Sequence, residues 1–148
     1  MDLAKFLTAR LDEDEASAKE ALTGPGTPAG GSWTAYKHPP GPNDSRSDRS
    51  VQLVGCTEPD DREWLVANAG QWGAAQNVAV HIARHDPARV LREVDAKRSI
   101  LAQHPAIWPK DPDSSTCSCC GLAWPCPTLR ALAAAWSDHP DYDPAWKK

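Results

Sequence analysis

Leu3, Phe6, Leu7, Leu11, Ala18 and Leu22 recur at the spacing of one helical face, with Asp2 placed to cap the start and Thr23-Gly24-Pro25-Gly26 to end the run. This pattern predicts a helix over residues 2–22, followed by a linker over 24–32. Trp33–Lys37, Val51–Cys56 and Glu63–Asn68 are short stretches rich in β-branched and aromatic residues between turn-forming segments. They predict a three-stranded antiparallel sheet within residues 33–70. Between the first two lies a segment of Pro, Ser, Asp and Arg, residues 39–50, whose composition cannot bury apolar surface and predicts a mobile loop.

From Gln76 the period turns helical again, with Val78, Ala79 and Ile82 sharing a face. Asp86-Pro87 supplies an N-cap followed by Pro at the first helical position, and so divides a short helix from a longer one over 87–104. Val90, Val94, Leu101 and His104 fall nearly on one line of that helix, because roughly 14 positions make close to four turns. His104 is therefore expected to project from the apolar face. Prolines at 105, 109 and 112 break the chain, and a last helix opens at Pro127-Thr128 with Leu129, Leu132, Ala133 and Trp136 along it. The tail from Asp138 to Tyr142, with Trp146, reads as an irregular surface strap. These elements describe an α+β chain of one domain over 1–148: an N-terminal helix, a small sheet, a broken helix, and a helical part over 74–148.

The chemistry is concentrated in that last part. A CxxC turn, Cys117 and Cys120, presents two thiolates to one ion with little strain; Cys126 follows, and His104 precedes them at the end of the long helix. Four soft or borderline ligands are the donor set of zinc, and a site filled by protein on all four positions is structural rather than catalytic. Cys119, adjacent to Cys120, is placed outside the site, and His139 stands as the alternative fourth ligand. Of the five cysteines, Cys56 lies far from the others. An odd count in a chain that lacks a basic and then apolar N-terminal run predicts reduced thiols in a cytoplasmic setting.

Other clusters read as structural. Asp12-Glu13-Asp14-Glu15 points in successive directions around a helix and is expected to be a solvated acidic face. His81 and His85 stand at i and i+4, without the Glu that a metalloprotease pattern requires, and are read as surface or capping residues. Arg84, Arg89 and Arg92 make the helical region the basic part of a chain whose net charge is −4, and are the residues placed to touch phosphates. Glu93 lies four residues before Lys97 and favours a salt-bridged face instead. Seven tryptophans against one phenylalanine and two tyrosines are unusual, and Trp108, Trp124 and Trp136 bracket the cysteines. No run of about 18 apolar residues is present.

The segments from His81 to Val94 and Ala96 to Leu101, Trp124-Pro125-Cys126-Pro127-Thr128-Leu129-Arg130, and Asp138-His139-Pro140-Asp141-Tyr142 resemble an uncharacterised family of small actinobacterial and actinophage proteins. The opening Met1-Asp2-Leu3-Ala4-Lys5-Phe6-Leu7 is similar to that family as well. The resemblance implies a bacterial or phage cytoplasmic setting and a CxxC before the Trp-Pro-Cys motif, from which the extra Cys119 departs. It implies no activity. The expectation is a small non-enzymatic zinc-binding accessory protein that works through a protein partner, by a tryptophan-rich surface and the loop over 39–50. The alternative is a nucleic-acid-binding regulator using the arginine-bearing helix.

Overall fold

A computed structural model describes residues 2–23, 32–37, 51–57, 62–68, 74–107 and 115–147. The linker after the first helix, the loop expected at 39–50 and Trp108 lie outside the described residues. The elements run α1 (Leu3–Thr23), β1 (Trp33–Lys37), β2 (Val51–Thr57), β3 (Arg62–Asn68), α2 (Ala74–Arg84), α3 (Pro87–Gln103), β4 (Ala106–Ile107), β5 (Thr116–Cys117) and α4 (Pro127–Ala133), with 3-10 turns at Ala134–Trp136 and Pro144–Lys147. They gather into two compact units, one of residues 1–15 with 93–148 and one of residues 16–92.

In the second of these, β1, β2 and β3 form one antiparallel sheet in that order, with Ala35 opposite Leu53 and Gly55 opposite Trp64. A register shift between Leu53 and Val54 inserts one extra residue into β3, which locally sharpens the twist. Ala79 of α2 is fully buried, with Ala35, Ile82 and Ala83 around it. The Asp86-Pro87 signal operates as expected. The Asp86 carboxylate accepts the Arg89 backbone N–H at 2.7 Å and that of Trp33 at 3.3 Å, so one buried side chain caps α3 and ties it to β1.

In the other unit, α1 begins at its predicted cap, where Asp2 Oδ1 accepts the Ala4 N–H at 3.3 Å. Leu3, Phe6 and Leu7 enter a core completed by Cys117, Cys126, Leu129, Ala133, Tyr142 and Trp146, with Leu101, Trp124, Leu132 and Trp136 packed against it. The tail is thus no surface strap. The rings of Tyr142 and Trp146 lie 5.9 and 5.1 Å from that of Phe6 and meet each other edge-on at 5.4 Å. A single Phe needs several aromatic neighbours to fill its surroundings, and the tail supplies them.

The acidic block is not simply solvated either. Asp12 and Glu15 both receive Arg98, at 2.6 and 2.7 Å, and Glu13 receives Arg10 at 2.6 Å. Asp14 is partly enclosed between Lys97 and Trp136; burial, the largest influence, raises its carboxyl, against the Lys97 charge and a hydrogen bond from Trp136. Glu93 and Lys97 form the expected i, i+4 pair at 4.0 Å. Solvent screens such surface pairs, so they orient α1 and α3 more than they stabilise them.

Truncation of Phe6 or Trp146 to Ala should cost about 3–5 kcal/mol, read as a lower urea midpoint at unchanged slope. Tyr142→Phe should leave the midpoint in place or raise it, because the buried Tyr142 hydroxyl has no hydrogen-bond partner among the described residues.

Candidate metal centre

The long helix stops one residue earlier than its sequence pattern predicts. α3 ends at Gln103, and His104 sits in the bend beyond, its N–H bonded to the Leu101 carbonyl at 3.2 Å. Pro105 follows and cannot continue the ladder. Its carbonyl accepts the Ser118 N–H at 3.0 Å, and Ala106 pairs with Cys117 in a two-stranded ribbon, β4 with β5. This ribbon has no sequence signal of its own. Two-residue strands exist only because distant segments meet, and the proline-rich stretch between them reads as loop.

Cys117 closes β5 and opens a tight turn. Its N–H donates to the Leu122 carbonyl at 2.8 Å, its carbonyl accepts the Gly121 N–H at 2.9 Å, and Gly121 takes φ +67°. A side chain is disfavoured in that left-handed region, so glycine directly after Cys120 lets the chain reverse around the sulfurs. Thr116 bridges Ala123 and closes the hairpin. Cys126 stands just before α4, whose first residue is Pro127, and is fully buried.

These elements bring His104, Cys117, Cys120 and Cys126 together, with all four ligand atoms within 4.8 Å of one another. His104 turns Nδ1 toward the sulfurs, 3.3 Å from Cys117 Sγ and 3.6 Å from Cys126 Sγ. A tetrahedral ion with bonds of about 2.0–2.3 Å has ligand edges of roughly 3.3–3.8 Å, so both separations fit, and an ion would draw the widest pair inward. The turn also prepares the sulfurs for charge. Burial works to raise the Cys117 thiol, yet the backbone N–H groups of Cys120 and Cys119, with side-chain hydrogen bonds from His104 and Cys120, bring it down to about 6. At Cys120 the Leu122 N–H lowers the thiol, but burial and the Cys117 and Cys126 sulfurs outweigh it and the net direction is up. Crowded thiols titrate apart in this way because neighbouring sulfurs cannot all carry charge without a cation between them.

Cys119 is exposed and outside the convergence. His139 is elsewhere: its ring is held by Arg10, with Nδ1 2.6 Å from Arg10 Nη1, and meets Phe6 edge-on at 5.9 Å. The exposed rings of His81 and His85 approach to 4.6 Å. No third ligand joins them among the described residues. Of the arginines, Arg84 and Arg92 are exposed, but Arg89 donates from Nη1 to the Arg84 carbonyl at 2.9 Å and so closes the end of α2. The fifth cysteine lies in β2, opposite Glu63.

Trp124 and Trp136 are half-buried rather than displayed, and Trp136 lies under Lys97 at 5.0 Å. The exposed apolar residues near the cysteine turn are Ile107 and Leu122, each about half accessible. Sequence reasoning missed both, since an aliphatic residue in a turn carries no mark of its exposure. No helix among the described residues is long and apolar enough to cross a membrane.

A helix end, a two-stranded ribbon and a glycine-closed cysteine turn converge on one imidazole and three sulfurs, a cluster that could hold a metal ion. The chain belongs to a family of unknown function, DUF6221, whose match spans residues 1–148. No curated protein and no solved structure matches it.

Cys117→Ser and Cys126→Ser should each cost about 3 kcal/mol or more of stability, because both sulfurs lie in the core and in the four-residue cluster at once. Cys119→Ser should stay within about 0.5 kcal/mol. Thermal unfolding of the three variants side by side tests this, and equal damage from Cys119→Ser would refute the assignment.

Proposed function

We propose that this chain is a small non-enzymatic accessory protein, of bacterial or phage origin and cytoplasmic, in which a structural zinc held by His104, Cys117, Cys120 and Cys126 fixes a surface for a protein partner. The observation that carries this reading is the convergence of four protein ligands within 4.8 Å. With every tetrahedral position supplied by the chain, none is left for a water or substrate, and the ion acts as a staple. The donor set of three sulfurs and one imidazole favours zinc over harder cations such as magnesium or calcium. The bacterial and phage setting rests on the sequence resemblance.

The partner surface is assigned to the cysteine hairpin, where Leu122 and Ile107 are exposed. This shifts the weight from the tryptophans to aliphatic residues beside the ion. A metal-held turn presents such residues at little entropic cost, because the turn is ordered before the partner arrives.

Nucleic-acid binding is the second reading, and the exposure of Arg84 and Arg92 favours it. Its test is separate. If these arginines contact phosphate, binding to duplex DNA falls steeply with salt, and the double change Arg84→Ala, Arg92→Ala flattens that slope by about two counterions. The protein-partner reading expects no such slope, and expects Leu122→Ser with Ile107→Ser to abolish capture of the partner while leaving the melting temperature unchanged. Elemental analysis of the purified chain should find one zinc per molecule, and a chelator should lower its melting temperature. Metal-free protein that melts at the same temperature would end the structural-zinc reading.

A further inference from the structure

Residues of α4 and the Pro144–Lys147 turn line an open cavity of about 500 Å³. That volume is in the range of small-molecule sites. Its body is apolar, contributed by Ala131, Ala134 and the Trp146 indole. Its polar side chains are Arg130, Lys147 and Ser137, and no carboxylate lines it among the described residues. In a chain with a net charge of −4 this is a local inversion of sign.

Asp141 faces Arg10 at 3.9 Å, and Asp143 Oδ1 accepts the Ala145 N–H at 2.9 Å. Lys147 has no ion-pair partner among the described residues. Arg130 and Lys147 can donate but never accept, and the Ser137 hydroxyl can donate as well, so a well-matched ligand brings acceptors and negative charge. The indole and alanine wall asks for a flat apolar group attached to that head.

We propose that this cavity binds an organic carboxylate carried on a flat apolar body, its head at Lys147 and Arg130 and its ring against Trp146. The assignment is independent of the metal reading. It concerns a different cavity, and the metal content of each sample is measured alongside.

The test uses the full chain as purified, titrated with 2-naphthoate and with the neutral isostere 2-naphthylmethanol, followed by calorimetry and by tryptophan fluorescence. The carboxylate should bind one per chain and about tenfold tighter than the alcohol, the margin of a charge-assisted hydrogen bond. Lys147→Gln, at an exposed position, should erase most of that difference without moving the melting temperature. A peptide ending in a free phenylalanine carboxylate, compared with its amide, separates the two sources of such a head. Tighter binding of the free peptide than of naphthoate upholds the anion seat and makes a chain end its natural occupant, whereas preference for naphthoate makes it a small-molecule site. Equal affinity for acid and alcohol, or an acid affinity indifferent to Lys147→Gln, would overturn the proposal.

Discussion

Three sulfurs and one imidazole nitrogen crowded within 4.8 Å are the constraint around which residues 93–148 are arranged. Two of the sulfurs, on Cys117 and Cys126, lie in the same core as Phe6, Leu7 and Leu129, so the histidine–cysteine cluster and the hydrophobic interior are one structure. A hairpin as short as β4 with β5 has too few residue pairs to persist unaided. Its backbone contacts, Ser118 to Pro105 and Trp124 to Ser115, set the cysteine turn against the end of α3. The backbone donors aimed at Cys117 then favour its thiolate before any ion arrives.

α1 depends on this arrangement in turn. Its apolar stripe would be uncovered without α4 and the tail, and its polar edge is specified by few groups. Arg10 is nearly buried, with Glu13 and the His139 ring on its guanidinium and the Phe6 ring 5.4 Å beneath. A buried guanidinium is retained only where such partners replace its water, which makes Arg10 sensitive to position as well as to charge.

Local signals in the chain were legible. Asp2 and Asp86 both cap as their positions predict, because a cap needs only its own helix start, and the three β segments pair into one antiparallel sheet. The convergence of Cys117, Cys120 and Cys126 was legible too, since a CxxC followed by glycine builds its own turn. The helical phase of His104 was less secure: the residue left the helix and still reached the sulfurs, because Pro105 turned the chain toward them. What the sequence could not show was anything decided by a distant partner. Tyr142 and Trp146 sit among polar and proline residues that read as surface, and only the distant core they join, with the Phe6 ring, gives them an interior. Arg89 looks like a phosphate ligand until the Arg84 carbonyl is found within its reach.

The pairing of Arg10 with His139 joins positions 129 residues apart. During synthesis at about 5–20 residues per second, α1 therefore leaves the ribosome roughly 6–26 s before the segment that covers it has been made. For that interval Leu3, Phe6 and Leu7 form an apolar stripe with no native cover in their own unit, the kind of surface that chaperones engage. The order of the chain thus makes the first helix the last to be enclosed, and places the aggregation hazard of this fold at its beginning.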